Sequence, residues 1–448
     1  MNKTVASHGG TSTQLDKPRL LLIELNEFND SLLRDAARDL RLSNIQKIFD
    51  LSHCKAKTDD PYESDLLEPW VQWVSIHTGT PSSVHQVKHL GDVPSLKFPQ
   101  VWETLSRAGV TTGIWGVLNG SRGHETEHNE FFLPDPWTFS EAAHPQALEA
   151  LLGLPRYAAT NRLRMFGPEL AWHVLKCFKV LLKHSLFEAF VRELPAVVKV
   201  GMKHRREFVG FCLFEYLSGL LFLEYWGRYR PQFGVVFLNG LAHLQHYYWH
   251  GVDYARNERL AYGLRLVDKF LGQVLETIGP ETRLVVSSGL SQENTNDEPE
   301  WVSYRPRDHA TFLRGVGVAF KSVEPLMSYD ALIFFGSADD KLQALAKLRS
   351  AKVGNQSLFL VEEYPLEPLK LFYRFQFTQP VGAEAGCSLA GVDFEFGKFF
   401  SKIVTRTGRH VQASDIYAND ANLPAHMLNH ELCQYILGYF GVSAAGLE

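Results

Sequence analysis

The densest chemistry in this chain lies in one short stretch, NGLAHLQHYYWH, which runs from Asn239 to His250 behind an apolar segment. On a helix, His243 and His246 share a face at i, i+3, and His246 and His250 share one at i, i+4. At either spacing two imidazoles can reach a common metal ion or substrate group. Asn239 adds an amide oxygen at the start of the same stretch. The competing reading is that these are histidines of a packed helix with no ligand at all.

Such residues need a rigid frame, and the chain supplies one. RLLLIE (19–24), VTTGIWGV (110–117), QFGVVFLN (232–239) and RLVVSS (283–288) are short apolar runs, the pattern of strands buried on both faces. Helical patterns alternate with them, so the expected fold class is α/β, a doubly wound and mostly parallel sheet whose ligands gather at the carboxyl ends of the strands. Residues 18–140, 230–310 and 395–448 read as this core, 141–229 as a helical insertion and 311–394 as a small α/β cap. Residues 1–17 read as a loose tail, and HMLNHELCQYILGYFG as the closing helix.

The bulk properties narrow the class. With 448 residues, 45% hydrophobic and a net charge of −5, the chain has ample core material and no basic footprint for nucleic acid. The N-terminus has no apolar leader segment, and five scattered cysteines form no C-x-x-C pair, which together point to the cytoplasm. The apolar window Phe208 to Trp226 carries Glu215 and Glu224, so it reads as a buried helix rather than a membrane span. Stretch 174–206 holds Lys176, Lys179, Lys183, Arg192, Lys199, Lys203, Arg205 and Arg206 against only Glu188 and Glu193. It is either a solvated basic face or a patch for an anionic substrate or weak contact with a membrane surface.

Five segments in order, LLLIELNEFN (20–29), EPWVQWVSIHTG (68–79), LAHLQHYYWH (241–250), LVVSSGLSQ (284–292) and GRH (408–410), resemble the strand-end motifs of the alkaline phosphatase superfamily, in its phosphodiesterase/nucleotide-pyrophosphatase branch. The resemblance places Asn26 where the family has a metal-binding aspartate, with Glu24 or Glu27 able to supply the missing charge; the alternative is that Asn26 caps the following helix. It places His246 and His410 on metal-binding histidines and replaces a third ligand by Ala242. The family's nucleophile falls on Pro69, which cannot attack, and a shift of one residue brings in Glu68 as nucleophile, general base or ligand. Where the second metal's Asp-His should stand the chain reads Ser288-Gly289-Leu290-Ser291.

What the resemblance implies is a divergent hydrolase of a phosphate ester or phosphodiester, such as a sugar-phosphate or a nucleotide-like substrate. It would use at most one divalent ion, zinc or manganese, with Glu24, Asn26, His246 and His410 as ligands and Glu68 and His243 in catalysis. His85, Gln72, Asn239 and His309, with Arg307, would contact a small anionic substrate. The alternatives are an inactive relative that binds an anionic ligand or partner, and a transferase or lyase that uses the pocket without metal. Oligomeric state is not legible.

Overall fold

A computed structural model describes residues 17–443, apart from 64–65, 124–126, 161–166, 204–207, 252, 255–256, 327–328 and 365–366. The tail, except Lys17, and the basic side chains Lys203, Arg205 and Arg206 lie outside the described residues.

Strands β1 (Arg19–Leu25), β2 (Ser52–Lys57), β3 (Thr112–Trp115), β4 (Asn129–Leu133), β5 (Phe233–Leu238) and β6 (Thr282–Ser287) join the strands Ala413–Ala418 and His426–Leu428 in one sheet. Its order is His426–Leu428, β2, Ala413–Ala418, β6, β1, β5, β3, β4. Every neighbouring pair is parallel except the two made by Ala413–Ala418. The fold is thus α/β with a mostly parallel central sheet.

The side-chain alternation of β1 explains why this sheet is wound on both faces. Leu21, Ile23 and Leu25 enter a core shared with the helices Asp30–Asp39, Val209–Tyr229 and Glu258–Thr277. Leu20 and Leu22 enter the opposite core with the helices Pro69–Thr78, Val101–Arg107 and Glu431–Tyr439. The helix Val209–Tyr229 is long and apolar enough to cross a bilayer, but its Phe222 and Trp226 are fully buried in the first core. It packs against the sheet, and the helices Glu149–Thr160 and Phe187–Lys203 add Leu151, Leu152 and Val200 to the same core.

A separate core forms around an antiparallel sheet of order Phe359–Glu363, Lys370–Phe375, Asp330–Phe334, Ser322–Pro325, backed by the helix Ala338–Ser350. This core draws in Val302 and Tyr304 and also Phe396, Phe399 and Phe400, so it is wider than segment 311–394. Strand β7 (Ser291–Asn294) follows β6 and pairs with Gly408–Val411, and β8 (Trp301–Pro306) pairs with Phe400–Arg406. These two ribbons bring the chain from the sheet's carboxyl edge into the cap and back.

Candidate metal centre

Strand β1 lies between β5 and β6, with Leu25 level with Leu238 and Glu24 level with Ser287, so the three strands end together. Beyond β1 the backbone turns sharply at Glu27, whose φ of 58° lies in the left-handed region that a glutamate seldom adopts. Gln245 holds the turn from the helix Gly240–Tyr248. Its Nε2 donates to the Glu27 carbonyl at 2.7 Å, and its Oε1 accepts from the Asn29 N–H at 3.2 Å. Asn29, not Asn26, caps the helix Asp30–Asp39, accepting from the Leu32 N–H at 2.8 Å.

The turn delivers the Glu27 carboxylate to two imidazoles from distant parts of the chain. Glu27 Oε2 lies 3.0 Å from His246 Nε2 and 3.1 Å from His410 Nε2, and the two nitrogens are 3.0 Å apart. All three residues are buried. His246 reaches in from the helix Gly240–Tyr248, and His410 from the strand Gly408–Val411, where it stands opposite Gln292 of β7. Gln292 Nε2 donates to Glu27 Oε2.

The donor set suits a divalent cation. Two imidazole nitrogens and one carboxylate oxygen are a common ligand set for zinc, and bonds of about 2.0–2.1 Å in a tetrahedron separate ligand atoms by roughly 3.3 Å, close to the spacing here. His246 Nδ1 lies 3.0 Å from the Gly408 carbonyl. Donation to that oxygen fixes the tautomer with the Nε2 lone pair facing Glu27 and His410, the outer-shell contact that metal-binding histidines usually make. Burial works against charge on Glu27, yet the His410 and His246 charges and hydrogen bonds outweigh it and hold the carboxyl well below its usual range. Burial lowers His246 to about 4 in spite of Glu27. For His410 the pull of Glu27 outweighs burial, and its pKa is raised. Glu27 therefore favours the protonated form of His410, and a cation bound there would compete with that proton.

The structure places the other predicted residues around this centre rather than in it. Asn26 is a hub: its Nδ2 donates to Glu27 Oε1 and to Asn239 Oδ1, each at 2.8 Å, and its Oδ1 accepts from Trp73 Nε1 at 2.7 Å. With its oxygen committed to the indole, Asn26 positions Glu27 instead of ligating. Glu24 lies on the other face of β1 and meets the buried His77 Nε2 at 2.6 Å. His243 stacks on Phe208 at 4.7 Å and contacts Asn239 at 3.3 Å, away from His246. His250 is exposed, because the helix ends at Tyr248 and the i, i+4 relation to His246 is never formed.

Residues predicted to hold an anion are engaged elsewhere. His85 bonds Ser75 Oγ at 2.9 Å and accepts from the Val87 N–H at 3.1 Å, which uses both ring nitrogens. Gln72 donates to Asp60 at 2.9 Å. His309 meets the Tyr373 hydroxyl at 2.5 Å inside the cap, and Arg307 donates to the Gly397 carbonyl at 3.0 Å.

Glu68 occupies the N-cap of the helix Pro69–Thr78, with Pro69 in the first helical position that suits proline. Its carboxylate pairs with Arg374 of the cap at 2.6 Å; Arg374 is buried and the Glu68 side chain is only 11% exposed. Burial pushes its pKa up to about 7, against the Arg374, His410 and Arg406 charges that favour ionisation. Glu68 thus lies within electrostatic reach of His410 as well as of Arg374 and Arg406.

Where a second metal's ligands would be expected the chain offers neither a carboxylate nor an imidazole, and Gly289 has no space for a larger side chain. Gly289 has φ of 72°, and a Cβ there would fall 2.6 Å from the Trp73 ring. Leu290 is fully buried. Sequence reasoning left Glu27 as a substitute, met Trp73 and Gln245 only as members of the resembling motifs without a role, and did not find Gln292, Arg374 or Arg406. The clue to Gln245 was its place beside His246; Arg374 approaches from the cap, which no motif covers, and Arg406 from the end of the strand Phe400–Arg406, just before the GRH motif.

No protein-family model and no curated protein matches the chain. Solved structures resemble it over nearly its full length. Phosphonoacetate hydrolase from Sinorhizobium meliloti 1021 with phosphonoformate has 13% identity, covers 95% of this chain and 96% of its own, and has a TM-score of 0.45. Murine ectonucleotide pyrophosphatase/phosphodiesterase 5 with AMP has 10% identity, 96% of each chain and a TM-score of 0.46. The TAB5 alkaline phosphatase variant with magnesium has 10% identity, 96% of this chain, 100% of its own and a TM-score of 0.41. All three are alkaline phosphatase superfamily members. Likeness at this distance says nothing of activity.

Proposed function

We propose that this chain is a divergent hydrolase of the alkaline phosphatase superfamily, acting on a phosphate ester or phosphodiester with one divalent cation, zinc or manganese, held by Glu27, His246 and His410. The observation that carries this reading is the convergence of those three buried side chains, from three separate segments, with ligand atoms within 4.8 Å of one another. A cation there supplies Lewis-acid polarisation of a phosphoryl oxygen and a more acidic water.

The chain's own residues supply the rest. One carboxylate against a dication, with Arg374 and Arg406 nearby, leaves a positive field suited to an anionic group. With Pro69 where a hydroxyl nucleophile would stand, water is the attacking group. A Glu68 carboxyl that titrates at about 7 is matched to accepting its proton. The water oxygen bonds to phosphorus, the ester P–O bond breaks, the water proton passes to Glu68, and the leaving alkoxide takes a proton from solvent, to which Glu68 then releases its own. The close Glu68–Arg374 pair favours a second reading, binding of an anionic ligand without turnover, because it occupies the base.

The test is hydrolysis of an activated phosphomonoester and phosphodiester with zinc or manganese added. Metal-dependent turnover that His246→Ala and Glu68→Gln abolish is expected. Turnover unchanged in both variants would overturn the reading, and metal binding without turnover of either ester would favour the binding protein.

A further inference from the structure

The large apolar side chains left exposed are not scattered. Of the fifteen among the described residues, eight fall within the helices Pro168–Lys183 and Phe187–Lys203. A patch this concentrated marks an interaction surface. In the second helix Phe187, Val191, Leu194 and Val198 recur at i, i+4, i+7 and i+11, a single stripe that faces outward and is between 39% and 47% exposed. In the first helix Trp172, Leu175 and Leu182 recur at i, i+3 and i+10 on its exposed face. The two helices pack through Phe178, whose ring lies 5.6 Å from Phe187 and 5.5 Å from Phe190.

The charges beside these stripes are mostly positive, with Glu169 at the start of the first helix and Glu188 at the start of the second as the exposed acids. Lys179 takes the i+7 position of the first stripe, Lys183 follows Leu182, and Lys199 follows Val198; all three are exposed. Lys176 lies over the Trp172 ring at 5.2 Å. The acids of the second helix are already engaged, Glu188 with Arg192 and Glu193 with Lys269.

We infer that this helical hairpin docks on the surface of a bilayer containing anionic lipid. The apolar stripes enter the headgroup region and the lysines meet the lipid phosphates, the arrangement of a helix that lies in a membrane interface. Trp172 has the amphipathic ring favoured at that depth. A second copy of the chain is a poorer occupant, because an isologous contact would bring two copies of this patch together, with Lys179, Lys183 and Lys199 of each outnumbering the exposed Glu169. The surface lies apart from the metal centre, so the inference stands or falls independently of the reaction.

The test is co-sedimentation of the full chain with phosphatidylcholine vesicles, with and without phosphatidylglycerol. Binding is expected only to the mixed vesicles, weakening as salt is raised. With each surface lysine worth about a five-fold change in affinity, the variant Lys179→Glu/Lys183→Glu/Lys199→Glu should bind at least a hundredfold more weakly. Leu182→Ser/Val191→Ser/Val198→Ser, which alters only exposed positions, should also release the protein. No binding to mixed vesicles, or equal binding to neutral ones, overturns the inference. So does a dimer in sedimentation velocity that the serine variant dissociates while vesicle binding is absent.

Discussion

Replacing Glu68 by glutamine separates what its burial does to stability from what its carboxylate does in a reaction. In the folded chain the Glu68 pKa is raised from an ordinary 4.5 to about 7, chiefly by burial. Each pH unit of displacement is worth about 1.4 kcal/mol, so ionising the carboxyl costs the fold about 3 kcal/mol. The sign follows from proton linkage: between these pH values the folded state holds a proton that the unfolded state has released. The Glu68 contribution is therefore fully present below about pH 4.5, declines as pH rises to about 7, and is constant above. Glu68→Gln has no such proton. Urea unfolding from pH 4.5 to 8.5, with chelator present so that no bound cation adds its own pH dependence, should show wild type losing about 3 kcal/mol relative to the variant across that window. Parallel curves would refute the claim that loss of hydration outweighs the neighbouring charges at Glu68. In turnover, loss of a general base lowers the rate about a hundred- to ten-thousandfold, and the variant should also lose the inflection near pH 7.

Trp73→Phe removes the indole donor to Asn26 Oδ1 and should destabilise the chain by about 1–3 kcal/mol, read as a lower urea midpoint; an unchanged midpoint would show that the hub does not need it. Gly289→Asp restores a carboxylate at a second-metal position, but it meets the Trp73 ring at a left-handed φ. It should lower the calorimetric Tm without increasing the metal bound, and a second equivalent of metal in that variant would contradict the closed second site.

The strands were legible because their apolar runs are unbroken. RLLLIE and QFGVVFLN predict β1 and β5 to within about one residue, since a strand buried on both faces tolerates little else. His246 and His410 were legible through their motif context. Glu27 was harder to choose, because nothing in a Glu-Leu-Asn-Glu run announces a left-handed backbone at its last residue, and that single dihedral decides which side chain enters the centre. His250 misled because helical spacing was extended past the helix end at Tyr248. Arg374 and Glu68, 306 positions apart, meet only through the cap's seating on the core, a long-range relation that local pattern does not carry. The outward stripe of Phe187, Val191, Leu194 and Val198 was likewise hidden, since helical periodicity reveals an apolar face but not which way it points.

The central claim is that Glu27, His246 and His410 together hold a divalent cation, and the metal content of the purified chain tests it most directly. After incubation with zinc or manganese and removal of the excess, elemental analysis should find one equivalent per chain. The variant Glu27→Gln/His246→Ala/His410→Ala, with its fold verified by circular dichroism, should retain none. Less than a tenth of an equivalent in wild type, or full retention in the variant, would contradict the assignment.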